Sequence, residues 1–288
     1  MPVGNLLSPV VSSRTLGYVF LWAIGFGAYA TLAVAEDYYI GSEILNTPSQ
    51  FHAVLSLVLG WLLVFRTNTA YNRWWEARIL WGNLVNASRN LAIKIVQLTE
   101  LAPGEATQIQ QTIANFALAL KFHLRGEPST LLPVDAPPGV GEAKHIPQEL
   151  ARKLYAWLGQ ARREGRVAGD ELRAIDRELS RLMDITGGCE RILKTRIVKS
   201  YRIFARQCVG VFLATLPWGI VHDFRMWTVP LTILTAYFMI GLETVAEHVE
   251  EPFGYDDDDL DLDALCATIH DSVVEIFLCS DRPLAADQ

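Results

Sequence analysis

Apolar residues are distributed unevenly along the chain. Four runs carry almost no charge: Leu16 to Ala35, Phe51 to Phe65, Ile203 to Val221, and Trp227 to Val245. Each reads as a helix approaching the roughly 20 residues needed to cross a hydrocarbon core. The second has only about 15 strictly apolar residues, so its span relies on tilt and on Arg66 snorkelling to the interface. The third is interrupted by Arg206-Gln207 and Pro217. With polar flanks included, the expected membrane helices cover about 16–35, 51–71, 203–221 and 227–246. A cytosolic helical part takes about 72–200 and 247–288.

Between the second and third runs the pattern becomes amphipathic. Trp74 to Leu98 places Ile79, Leu80, Leu84, Leu91, Ile95 and Leu98 at a period near 3.6, and no proline separates it from the run before it. One helix is therefore expected to leave the membrane and continue into water, ending at Leu101-Ala-Pro-Gly. Thr107 to Leu124 is a second helix. Gly126 to Pro147, rich in proline and glycine, reads as a mobile loop. Pro147 opens a third helix to about Arg166, and Asp170 caps a fourth reaching Ile185. Gly187-Gly188 reads as a break. Leu262 to Leu278 is a short amphipathic helix, and Pro283 to Gln288 a disordered tail. Strand-period alternation and internal repeats are absent, so the fold class is all-α.

Composition sharpens this picture. Of the 288 residues, 51% are hydrophobic and 20% charged, which fits a chain partly in a membrane and partly in water. A net charge of −7 argues against nucleic acid as a partner. The link Glu36 to Gln50 has no Lys or Arg, whereas Arg66, Arg73, Arg78, Arg89 and Lys94 follow the second run, and Lys194, Arg196, Lys199 and Arg202 precede the third. The positive-inside rule makes both basic flanks cytoplasmic, and an even number of spans puts both termini inside. Met1 to Ser13 lacks the positive charge of a signal peptide. Cys189, Cys208, Cys266 and Cys279 are scattered and read as free thiols.

The second run offers a candidate site. Leu57, Trp61 and Phe65 stack on one helix face, and copies of such a ladder round an axis would form a constriction that gates by dewetting. Hydrophobicity alone does not select this face, because the helix is apolar all round. Thr67, Asn68, Thr69 and Asn72 follow, suited either to an aqueous vestibule or to interhelical hydrogen bonds. Asp256 to Asp259, with Asp261 and Asp263 nearby, has the oxygen density calcium prefers but lacks the EF-hand spacing; a solvated loop reads as well. The six histidines show no ligand spacing and read as structural. Nucleophile-elbow, Walker, dinucleotide and metalloprotease motifs are missing, so no enzyme is expected.

Three blocks resemble the bestrophin family, specifically its bacterial members: FRTNTAYNRWWEARILWGNLVNASRNLA (Phe65–Ala92), GGCERILKT (Gly187–Thr195) and EEPFGYDDDDLDLDALC (Glu250–Cys266). The resemblance implies a homopentameric, all-helical channel with four membrane helices per chain, one axial pore and a cytosolic vestibule. It passes small monovalent ions through the lipid bilayer of the inner membrane, anion or cation, and requires no cofactor. It also implies that Leu57, Trp61 and Phe65 form the pore neck, with Asn68 and Asn72 in the vestibule. A cytosolic aperture is expected at Ile175, with Leu172 or Leu179 as alternative registers and Arg173 close by. Calcium, where present, would bind Asp256 and Asp259 with backbone carbonyls near His248 and Glu251. The rival readings are a membrane-anchored scaffold binding a cytosolic partner and, disfavoured for want of inverted repeats, a secondary transporter.

Overall fold

A computed structural model describes residues 14–40, 49–128, 144–256 and 258–280. The expected mobile loop lies largely outside these, as does the expected disordered tail. Among the described residues, eight α-helices follow in order: α1 Arg14–Tyr39, α2 Ser49–Leu98, α3 Glu105–Arg125, α4 Ile146–Arg163, α5 Gly169–Lys194, α6 Lys199–Phe224, α7 Thr228–Glu250 and α8 Leu262–Ser280. No strand occurs among the described residues. The chain divides into two compact units. One takes the chain up to Trp74, Arg196–Pro252 and Asp256–Asp258; the other takes Trp75–Thr195, Phe253–Tyr255 and the chain from Asp259.

Among the described residues, Thr15–Tyr39, Ser49–Leu98 and Lys199–Glu250 are the stretches long and apolar enough to cross a membrane. The last is α6 and α7 joined by a single 3₁₀ turn, Arg225–Trp227. Arg206, near the start of α6, pairs with Glu243, near the end of α7, at 3.1 Å, so the two helices run antiparallel. At 26 and 23 residues each is long enough to span on its own. His52 Nε2 lies 3.2 Å from the Thr215 hydroxyl, and Tyr201 donates to the Leu62 carbonyl at 3.4 Å, which sets α2 antiparallel to α6.

Small residues allow this packing, as they do where lipid supplies no hydrophobic drive between helices. Ala23, Ala30 and Ala33 of α1 are fully buried. A Cβ added at Gly27 would lie 2.3 Å from the Ile233 side chain of α7, so any larger residue at this crossing would have to displace it. The core of the unit joins Ala23, Leu59, Leu63, Phe212, Leu213, Leu216 and Ala236. Arg66 does not snorkel as its place at the span's end suggested. It is fully buried, 3.0 Å from Glu243, because a carboxylate within reach on α7 compensates its charge where solvent cannot.

The second unit packs α3, α4, α5, α8 and the latter part of α2 round Trp81, Leu84, Leu91, Ile113, Phe116, Leu120, Leu154 and Leu182, all buried. Gly187-Gly188 is not a break: α5 runs through it to Lys194. Gly188 is where the Leu80 side chain of α2 comes closest, with a Cβ there meeting Leu80 at 3.0 Å. Gly188 serves close helix contact rather than a turn, while a Cβ at Gly187 would meet nothing within 4 Å. The N-cap of α5 is Ala168 rather than Asp170, with Glu171 Oε2 accepting from the Ala168 N–H at 2.5 Å. The capping acid is thus one position later than the pattern suggested. Lys94 reaches into α5, donating to Glu178 at 2.6 Å and to the Ala174 carbonyl at 3.1 Å.

Candidate functional site

α2 presents two different faces. Leu59, Leu63, Arg66 and Ala70, at three- and four-residue spacing, are buried inside the chain. Leu57, Trp61 and Phe65 keep 65%, 63% and 57% of their surface exposed. Two residues along a helix is a rotation of about 200°, so a ladder two positions out of phase with the packed stripe faces away from it. Trp61 and Phe65 rings lie 5.9 Å apart and tilted. Asn68 and Asn72 continue the exposed stripe toward the end of the first unit. Asn68 also borders an open hollow of about 360 Å³ with Leu63, Val64, Thr67, Tyr71 and Leu242. Thr69 is absorbed by its own helix, donating to the Phe65 carbonyl at 2.8 Å.

The Arg73-Trp74 pair grips the segment after α7. Arg73 Nε donates to the Glu250 carbonyl at 3.2 Å, and Trp74 Nε1 to the Asp258 carbonyl at 3.1 Å. The Glu250 carboxylate, buried, accepts from the Ile197 N–H at 3.1 Å. Two of the three sequence blocks therefore meet within this unit. In the other unit, Arg125 donates to the Phe253 and Gly254 carbonyls at 3.2 and 3.0 Å and lies over the Tyr255 ring.

The acidic run is divided among several tasks. Asp261 caps α8, accepting from the Ala264 N–H at 2.9 Å. Asp263 takes Lys121 at 2.7 Å and Arg125 at 3.5 Å. The Lys121 hydrogen bond, with both cations, holds the Asp263 carboxyl below the usual carboxylate range against some desolvation. Asp256 and Asp258 are exposed, Asp259 is half-buried, and Asp257 lies outside the described residues. The His248 carbonyl accepts from the Glu251 N–H at 3.1 Å, and the Glu251 carboxylate pairs with Arg196 at 2.8 Å.

Ile175 corrects an expectation. It is fully buried, as is Leu179, so neither offers surface to an aperture. The register that the resemblance left open falls, at these two positions, on the packed face of α5. Leu172 retains partial exposure, and Arg173 is exposed and paired with Asp170. The four cysteines are free, as the scattered spacing suggested. Burial pushes the Cys189 and Cys266 thiols up to about 12, which leaves both inert.

One cluster escaped the sequence altogether. His123 of α3, His145 at the N-cap of α4 and Glu190 of α5 converge in the second unit. Both histidine Nε2 atoms lie on the same carboxylate oxygen, at 2.8 and 2.7 Å. The three come from separate helices, and no local spacing announces them.

A family model of bacterial and fungal bestrophin proteins matches residues 5–275. The chain belongs to this family. A voltage-dependent anion channel-forming protein of Synechocystis is 34% identical over 277 residues, covering 93% of this bestrophin and 87% of the relative. A protein of the same description from Salmonella typhi is 29% identical over 287 residues, covering 95% and 88%. A crystal structure of a bestrophin homologue from Klebsiella pneumoniae superposes with a TM-score of 0.81 at 24% identity, covering 92% of this chain and 99% of that one. The fold is therefore that of a bacterial bestrophin, and the apolar helices make it a membrane protein.

Proposed function

We propose that this bestrophin is a passive anion channel of the bacterial inner membrane, five copies surrounding one axial pore whose neck is the Leu57–Trp61–Phe65 ladder. The observation that carries this reading is the two-faced α2. Its inner stripe is fully engaged within the chain, while a bulky apolar ladder at four-residue spacing faces outward and runs on into Asn68 and Asn72. The names of the relatives weigh toward a channel over an enzyme or scaffold, and toward anions over cations.

In this mechanism the neck works by exclusion. An apolar constriction imposes a dehydration cost on any ion, so it passes small monovalent ions slowly and closes by dewetting. The positive edges of the Trp61 and Phe65 rings offer the passing anion a weak electrostatic partner. Asn68 and Asn72 supply dipoles without fixed charge just inside. On α5 the aperture is assigned to Leu172 in place of Ile175, beside Arg173, whose partial neutralisation by Asp170 tempers the positive ring. Each chain crosses the bilayer four times, with α1, α2, α6 and α7 alternating and both termini cytoplasmic. Calcium is proposed at Asp256 and Asp259, with the His248 and Glu251 carbonyls, as an accessory ion: these donors are all oxygen, which suits it. Conduction requires no cofactor.

Reconstitution into planar bilayers tests the reading. Wild-type protein should give unitary currents whose reversal potential in a KCl gradient follows chloride, and Trp61→Ala should enlarge them. Absence of current from both proteins would sink the channel. For the ion site, Asp256→Asn with Asp259→Asn should lower thermal stability more in calcium than in chelator; equal shifts would remove calcium from the scheme.

A further inference from the structure

We propose that His123, His145 and Glu190 form a binding site for a divalent transition metal of the zinc class. The site is distinct from the acidic run and independent of what crosses the neck. Two imidazole nitrogens and one carboxylate oxygen are a borderline-soft donor set, which suits zinc and its neighbours and not calcium or magnesium.

The geometry is close to what such an ion needs. The two Nε2 atoms sit 2.8 and 2.7 Å from one Glu190 oxygen, and the imidazole rings are 4.3 Å apart between centroids at 33°. All three donor atoms lie within 4.8 Å of one another; a tetrahedral zinc with bonds of about 2.0–2.1 Å keeps its donors roughly 3.3 Å apart, so side-chain adjustment without movement of the helices admits it. The side chains are 24%, 29% and 18% exposed, enough to let an ion enter and to leave a coordination position for water.

The surroundings orient the ligands. Lys194 Nζ donates to the other Glu190 oxygen at 2.8 Å, holding the carboxylate so that its first oxygen faces the rings. His145 Nδ1 accepts the Gln148 N–H at 3.2 Å, which puts the neutral ring's proton on Nε2, donated to Glu190. Metal binding moves that proton to Nδ1 and surrenders the cap bond. The ion would tie α3, α4 and α5 together at one point, replacing a hydrogen-bonded contact with coordinate bonds.

The test uses the full-length protein in detergent, stripped with a chelator and then titrated with zinc chloride. Wild type should bind one zinc per chain at this site. His123→Gln and Glu190→Gln should each weaken that binding at least tenfold, as loss of a metal partner does, while His270→Gln, an exposed histidine on α8, should not change it. A millimolar excess of calcium should leave the zinc in place. Zinc should also protect His123 and His145 of the wild-type protein from diethyl pyrocarbonate, read by peptide mass spectrometry; this measurement needs no variant to fold. Wild type that takes up no zinc, uptake unchanged in both substituted chains, displacement by calcium, or equal modification with and without zinc would each overturn the site.

Discussion

The two faces of α2 are built from similar residues and do different work. Leu59 and Leu63 lie among Phe212, Leu213 and Leu216, where removing atoms opens a cavity inside the chain. Leu57, Trp61 and Phe65, two positions out of phase, touch far less of their own chain. Hydrophobicity in a membrane helix therefore does not report role. The packed face is defined by complementary neighbours on α6 and α7, and the other by their absence. The same division appears among charges. Arg66 is sealed against Glu243, whereas Asp263, 68% exposed, holds Lys121 and Arg125 from the solvent side.

The largest effect expected from breaking this contrast lies on the sealed side. Glu243→Gln leaves the buried Arg66 guanidinium without its counter-charge and should cost about 3 kcal/mol. Thermal unfolding in detergent measures it; a shift no larger than that of an exposed charge pair would mean that solvent reaches Arg66. Leu63→Ala follows, at about 2 kcal/mol. That is the lower end of the range for core truncations, because lipid competes better than water for the freed apolar surface. A loss as large at Leu57→Ala as at Leu63→Ala would erase the distinction between the faces.

Asp263→Asn sharpens the charge comparison through pH. The folded carboxyl is held below its unfolded value, so its stabilisation is present above pH about 4 and is lost as pH falls through the lower folded value. The substitution should cost about 1 kcal/mol at pH 7, reduced by solvent screening of the exposed partner. The gap to wild type should close below pH 4, and a constant gap across the titration would assign the effect to packing. The smallest stability change is expected for Trp61→Ala, within about 0.5 kcal/mol of wild type for the isolated chain. Native mass spectrometry should still find five copies. A collapse to monomers would make Trp61 a subunit contact rather than a neck residue.

The local elements were legible from the chain alone because they depend on near neighbours in sequence. The apolar runs, the unbroken passage from Phe51 to Leu98, the helix at Leu262 and the resemblance carried by Arg73-Trp74 and Pro252-Phe253-Gly254 all follow from spacing and composition within a few turns. The failures share one cause. Gly187-Gly188 looked like a break because glycine is a poor helix former, yet α5 runs through both, and Leu80, more than a hundred positions earlier, packs closely against Gly188. Ile175 was placed at an aperture by the resemblance, with the register on α5 left open between it, Leu172 and Leu179; the packing of the unit buries Ile175.

The sequence by itself determined the helices, the membrane-crossing stretches, the basic flanks and the family, since each is written in contiguous residues. Periodicity could not choose a side of α2, because an all-apolar helix has no intrinsic inner face; the resemblance implied the side of Leu57, Trp61 and Phe65, and the tertiary structure leaves that side uncovered by the chain itself. It alone brought His123, His145 and Glu190 onto one oxygen. Residues from three helices become neighbours only when the helices pack, and their geometry is a property of the packing.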